Sequence, residues 1–327
     1  MGNCKCCHTH LNEPTLNSKA IISDGINLDT MSPSLLKLAE LAISHQTDSI
    51  TLIDLRNKDL GEDGSAVLDT ILMSYTHISS LLLSATNLGP ENWTNFSKTL
   101  SNFFKLITLD LSHNNIGSYG AEKLAGAIEK LMRLETLILD NAQLEGSGMI
   151  LICGGLVNLR NLKVLSLREN KIGDLGVRML SNIINHLPKL IYLDIHHNQI
   201  SISGSYYIGK CIESLPFLQV LKAGNNFLMK EGGNNVVSKL PFGIREISLE
   251  NVGLEDSHII LLAPLLVSLK NLEVLVLDHN FLGPKSAQVL CEVLPKIKMK
   301  HLSLIGCNVS EYRKALSFAS SSTEILL

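Results

Sequence analysis

Leu106-Ile107-Thr108-Leu109-Asp110-Leu111-Ser112-His113-Asn114-Asn115-Ile116 is the stretch from which the architecture can be read. Apolar residues stand at its first, fourth, sixth and eleventh places, and Asn114 stands at the ninth. The alternation Leu109, Leu111 is that of a short strand with one face inward. An asparagine where a strand turns away can hydrogen-bond backbone groups that a buried turn would otherwise leave unpaired. The same template returns outward in both directions, starting at Ile50, Ile78, Leu134, Leu162, Leu190, Leu218, Ile244, Leu272 and Met299. The ten starts are separated by 28, 28, 28, 28, 28, 28, 26, 28 and 27 residues. Such phase is not a chance property of a 327-residue chain.

The rest of each unit reads as a helix. After Ile116, the residues Leu124, Ile128 and Leu131 fall at i, i+4, i+7 spacing. A Gly-x-x-Gly pair precedes the helical run at Gly61/Gly64, Gly117/Gly120 and Gly173/Gly176. Glycine permits the tight turn from strand to helix.

A 28-residue unit with a strand, an Asn or Cys turn slot and a full helix resembles the ribonuclease-inhibitor class of leucine-rich repeats. That class includes Ran GTPase-activating proteins, tropomodulins and the sensor domains of NOD-like receptors. The resemblance spans about residues 50–309. It implies an α/β horseshoe solenoid of about ten repeats, with a parallel sheet on the concave face and helices on the convex face. A fold match of this kind does not imply one activity.

Several departures carry expectations. Lys58, Thr86, Ala142 and Val252 occupy the asparagine slot, and Cys307 occupies it in the tenth unit. Those turns must be satisfied by other groups or be looser. The seventh unit is two residues short and has Glu231-Gly232-Gly233-Asn234-Asn235 where its helix begins. This predicts a weakened helix and a hinge, or a deletion tolerated on the convex side. The expected organisation is a tail at 1–18, an N-terminal helical cap at 19–49, ten repeats at 50–309, and a C-terminal helix and cap at 310–327. Ser32 and Pro33 suit the start of a cap helix over 33–45. Ile325-Leu326-Leu327 stand where an eleventh strand would begin.

The bulk properties set limits. Net charge is −3 and the pI about 6.4, without the basic excess of a nucleic-acid binder. Cys153, Cys211, Cys291 and Cys307 are scattered singly, as small core residues of a reducing compartment rather than a disulfide framework. No apolar run approaches the length of a membrane span, and no signal peptide is visible. The sequons at Asn92, Asn95 and Asn308 are therefore expected to be unused.

The chain begins Met1-Gly2-Asn3-Cys4-Lys5-Cys6-Cys7-His8-Thr9-His10. Gly2 suits N-myristoylation, and Cys4, Cys6 and Cys7 suit palmitoylation. The start resembles those of doubly acylated Src-type kinases and G-protein α subunits, except that Cys6 stands where Ser or Thr is usual. One myristoyl chain holds a protein to a bilayer only marginally, so a second acyl chain would be needed for stable anchoring. The expected address is the cytosolic leaflet of a membrane. Two alternatives stay open: a metal site made from the cysteines with His8 and His10, and a plain tail. The cluster is too tight for the usual zinc spacing.

Third, fifth, seventh and eighth places of each unit should line the concave face. At its centre stand Val164, Tyr192 and Val220, flanked by Arg168, Asp194, His196 and His197. A rigid aromatic with flanking charges is the usual make-up of an interface hot spot, so these seven residues are the candidate partner-binding patch. Catalysis is not expected. Histidines three units apart are about 14–15 Å from one another, and no nucleophile with a positioned base accompanies them. No cofactor or metal is expected there. The leading expectation is a membrane-tethered scaffold that binds a protein partner. The alternative is a regulator of a small GTPase, suggested by Arg56 and Asn57 in the first repeat and the resemblance to Ran GTPase-activating proteins.

Overall fold

Each repeat opens with a three-residue strand whose middle residue points inward and is fully buried, from Ile53 in the first to Leu302 in the tenth. The computed structural model describes residues 50–60, 68, 69, 72, 73, 75, 77–319 and 323–327. The tail, the cap over 19–49 and the pair Gly61/Gly64 lie outside them. Among the described residues the strands are β1 (Leu52–Asp54), β2 (Ser80–Leu82), β3 (Thr108–Asp110), β4 (Thr136–Ile138), β5 (Val164–Ser166), β6 (Tyr192–Asp194), β7 (Val220–Lys222), β8 (Glu246–Ser248), β9 (Val274–Val276), β10 (His301–Ser303) and β11 (Glu324–Leu326). They form one parallel sheet in sequence order, each pairing with the next. Equivalent places face each other throughout, as in Leu109↔Leu137 and Tyr192↔Val220. The columns read from the sequence are therefore real columns.

The helices alternate with the strands: α1 (Trp93–Leu100), α2 (Gly117–Ile128), α3 (Gly146–Leu156), α4 (Gly173–Ile183), α5 (Ile202–Glu213), α6 (Met229–Val237), α7 (Asp256–Ser268), α8 (Pro284–Val293) and α9 (Arg313–Ala319). Their inner stripes, such as Leu124 and Ile128 of α2, are buried against the strand leucines. The architecture is a leucine-rich-repeat solenoid with one continuous core. Gly117 and Gly173 have φ of +55° and +57°, so the first glycine of these two pairs serves the turn. The second glycine serves packing: a Cβ on Gly120 would lie 2.7 Å from the Trp93 ring.

Asparagines in the turn slot serve two repeats each. Asn114 Nδ2 donates to Leu111 O of its own turn at 3.1 Å and to Leu83 O of the preceding one at 2.7 Å. Its Oδ1 accepts Thr86 N at 3.2 Å and Leu88 N at 3.0 Å. Asn170 does the same for the turn that carries Ala142, and Asn280 for the one that carries Val252. The slots without asparagine at Thr86, Ala142 and Val252 are thus closed from the next repeat and are not loose. Thr86 adds its own bond, Oγ1 to Leu83 O at 2.8 Å. Cys307 reaches Leu277 O at 3.3 Å through its thiol.

The seventh unit keeps its helix. The missing residues shorten α6 to nine residues, while β7 and β8 pair in the same register as their neighbours. The deletion is absorbed on the helix side. An eleventh pairing does form, beginning one residue before Ile325 with Glu324 opposite His301 and placing Ile325 opposite Leu302.

Candidate protein-binding surface

The concave face is built from strand places whose side chains point away from the core. Its eighth column is Asn57, Ala85, His113, Asn141, Glu169, His197, Asn225, Asn251, His279 and Gly306. All ten residues have positive φ, from +46° at Asn141 to +73° at Gly306. Left-handed backbone favours glycine, asparagine and histidine. Backbone geometry therefore accounts for much of the Asn/His character of this column, which the sequence alone presents as recognition chemistry. His197 is exposed, but its place demands a left-handed residue first.

Carboxylates on the face close backbone groups just past the strand ladder. Asp54, Asp110 and Asp194 in the fifth column accept the N–H of Arg56, Ser112 and His196, two residues ahead, at 3.1, 3.0 and 2.9 Å. Asp140 and Asp278 in the seventh column accept the N–H of Arg168 and Ile305 in the next repeat, each at 2.8 Å. Asp194 is thus a cap set into the floor. Burial pushes its carboxyl up to about 7, against the bond from His196 N. Burial likewise raises Asp140 and Asp278.

The seven candidate residues do come together on β5, β6 and β7 and the turns that follow them, at unequal depth. Val164, Arg168 and Tyr192 are half-buried and His197 is exposed, whereas Asp194, His196 and Val220 are buried at 4%, 6% and 5% exposure. Tyr192 lies over this floor with its hydroxyl 3.3 Å from Asp194 Oδ2 and Lys222 Nζ 5.7 Å from its ring centre. Lys222 in turn pairs with Glu246 at 3.1 Å. Arg168 pairs with Glu169 at 2.8 Å. The accessible part of this patch is Val164, Arg168, Glu169, Tyr192 and His197, and the other residues lie beneath it.

His196 is held from two sides. Its Nδ1 lies 3.3 Å from Glu250 Oε1, and its Nε2 lies 2.8 Å from Asn225 Nδ2. Glu250 comes from two repeats away and passes over Gly224, where an added Cβ would overlap its carboxylate. Ser248 Oγ also donates to Glu250. Burial lowers the His196 pKa, partly opposed by Glu250. Glu246, Glu250, Asn225 and Asn251 were not expected in the site. The available signal was Gly224, a gap in the seventh column through which a neighbour two repeats away can reach.

Among the described residues no three His, Cys, Asp or Glu side chains converge as a metal site. Among them, too, no helix is long and apolar enough to cross a membrane. Gly2, Cys4, Cys6 and Cys7 lie outside the described residues. Arg56 is directed at Asp54, with Nη2 to Oδ2 at 2.8 Å, and Asn57 beside it is left-handed at φ +59°.

A family model described as Leucine Rich repeat matches residues 104–125 and 158–181. The first stretch runs from the third unit's strand into α2, and the second from the fifth unit's strand into α4. The chain carries leucine-rich repeats, and this match does not separate the classes within them. A crystal structure of an internalin, inlF of Listeria monocytogenes strain 4b F2365, is similar over 89% of this chain and 93% of that one, at 18% identity and a TM-score of 0.46. No curated protein sequence matches the chain.

Proposed function

We propose that this chain is a protein-binding scaffold of the ribonuclease-inhibitor-like class that reads its partner on the concave face. Stacked repeats create extended concave surfaces suited to that use. One observation carries the reading. Arg168, Glu169, Tyr192 and His197 are presented together on a floor of capped, fully bonded residues. A rigid floor lowers the ordering cost that a partner would otherwise meet on binding. Binding rather than catalysis fits a surface whose buried histidine, His196, and carboxylates are committed to structural bonds. The decisive comparison is partner capture by wild type, by Arg168→Glu with Tyr192→Ala, and by the helix-face control Lys123→Glu. A partner lost only with the concave variant supports the proposal, and an unchanged partner set in all three removes it.

The tether is part of the same proposal. Acyl chains on Gly2 and on Cys4, Cys6 or Cys7 would concentrate the concave face at the cytosolic leaflet of a membrane. Localisation of wild type beside Gly2→Ala tests it: if both distribute alike through the cytosol, the tether is wrong. Regulation of a small GTPase is a second use of the same scaffold, drawing on the exposed Arg56. A GTP-hydrolysis assay with candidate GTPases removes it if no stimulation is seen or if Arg56→Ala is without effect.

A further inference from the structure

Three side chains on the concave face are joined in a row across three repeats. Asn251 Nδ2 donates to Asn225 Oδ1 at 2.8 Å, and Asn225 Nδ2 meets His196 Nε2 at 2.8 Å. The Glu250 carboxylate can only accept, so it faces the proton of the neutral ring on Nδ1, and the Asn225 amide then meets the ring with its nitrogen, which can only donate. His196 Nε2 must therefore accept, and the imidazole carries its proton on Nδ1, toward Glu250 Oε1 at 3.3 Å. Among the described residues Asn251 makes this one side-chain bond, and its residue is exposed, so its Oδ1 is presented to solvent.

Adding a proton to His196 makes both ring nitrogens donors. Nε2–H would then face the Asn225 amide nitrogen, donor against donor. Turning the Asn225 amide by half a rotation restores a bond, Nε2–H to Oδ1. That turn points Asn225 Nδ2 at Asn251 Nδ2, and the conflict moves one repeat on. A matching turn of Asn251 resolves it, with Asn225 Nδ2 donating to Asn251 Oδ1. Asn251 is at the exposed end, so the chain of turns stops there.

We propose that His196, Asn225 and Asn251 form a proton-controlled relay that changes the exposed end of Asn251 from hydrogen-bond acceptor to donor when His196 is protonated. The new charge on His196 is met by Glu250 from the turn after β8. Glu169 faces it with Arg168 from the turn after β5, His197 follows it in its own turn, and the Asp194 carboxyl beneath its backbone N–H, pushed up to about 7 by burial, is itself protonated in acidic surroundings and adds no opposing charge. Lys222 on β7 is occupied with Glu246 of β8. The relay costs no backbone movement, because all three residues keep their strand-end places. It would make the concave surface present different hydrogen-bonding groups in neutral and acidic surroundings.

The test is a nitrogen and proton NMR titration of the full chain from pH 8 to pH 5, read at the His196 ring nitrogens and at the Asn225 and Asn251 side-chain amides. At pH 8 the ring should show the Nδ1–H form. As His196 titrates, both amides should shift with the same midpoint. In Asn225→Gly, which suits the left-handed φ of +51°, His196 should still titrate while Asn251 stays still. In Asn251→Gly, also at a left-handed place, the Asn225 turn meets no second amide, and the His196 midpoint should rise. Amides in wild type that do not follow His196 overturn the relay. So does a ring in the Nε2–H form at pH 8, or a His196 that stays neutral until the chain unfolds.

Discussion

Asn114 shows how one side chain can hold two repeats. Its two amide hydrogens reach the carbonyls of Leu83, Leu111 and Ser112, one hydrogen being shared, and its oxygen accepts from Thr86 and Leu88. These groups are buried, and a buried polar group left unpaired costs about 1–3 kcal/mol. Asn114→Ala should therefore lower stability by about 3–5 kcal/mol in chemical denaturation, in line with other losses of buried networks. A loss below about 1 kcal/mol would mean that water or backbone shifts replace these bonds. The asparagine slot itself was legible from its recurrence every 28 residues. Its service to the preceding repeat was not, because the bond spans 31 residues and depends on how closely the repeats stack. Asp194 gives a second prediction. Burial pushes its folded pKa up to about 7, above the ordinary aspartate value of 3.8, so the folded chain holds a proton that the unfolded chain has released between those pH values. Stability from this group is full below about pH 4 and falls as pH rises to about 7, then stays level. Asp194→Asn should remove that fall, so the stability difference between wild type and variant should drift against wild type across the window. A difference that stays constant from pH 4 to pH 7 would show that Asp194 ionises as it does in the unfolded chain.

At the scale of the element, α3 contains two adjacent glycines with opposite duties. Gly154 is exposed, and a Cβ placed there meets nothing within 4 Å. Gly155 is buried, and a Cβ there would lie 2.7 Å from Ala125 O on α2, a backbone atom that cannot swing away. Gly154→Ala should raise stability by about 0.5–1 kcal/mol, because alanine loses less freedom in a helix. Gly155→Ala should lower it by about 1–3 kcal/mol, as overpacking does. Paired thermal melts decide this, and equal shifts in the two variants would contradict the helix contact. Its place in the repeat made α3 legible as a helix, but that could not say which glycine faces α2. Column eight is the opposite case. Its composition was visible from the start, yet asparagine and histidine suggest recognition as readily as left-handed backbone. Only the φ values, positive at all ten places, separate the two.

For the whole molecule, the question is where a stack of similar units gives way first. Stability in a solenoid is close to a sum of unit and neighbour terms, so a weak unit inside the array can open without the rest. The seventh unit has the features of that weak point. Its helix α6 has nine residues, against twelve in α5 and thirteen in α7. It also includes Gly232 and Gly233, each about 1 kcal/mol poorer than alanine in a helix. Neither glycine is idle: a Cβ on Gly232 would lie 3.0 Å from Ser205 Oγ, and one on Gly233 2.6 Å from Leu254 Cδ2. Packing against α5 and the eighth unit thus requires residues that weaken the helix itself. The sheet does not share the weakness, since β7 bonds to β6 and β8 in full register. Opening should be confined to the helix layer. α5 also carries two glycines, Gly204 and Gly209, and α7 carries Pro264, so what sets α6 apart is its length, with fewer turns to hold it closed. Backbone amides of α6 should therefore exchange with solvent faster than those of α5 and α7, while Leu221 and Ile247 on the strands beneath stay protected. Equal protection across the three helices would mean that the short helix is held as firmly as its neighbours. Fast exchange at Leu221 or Ile247 would mean that the deletion reaches the sheet and that the concave face can bend there.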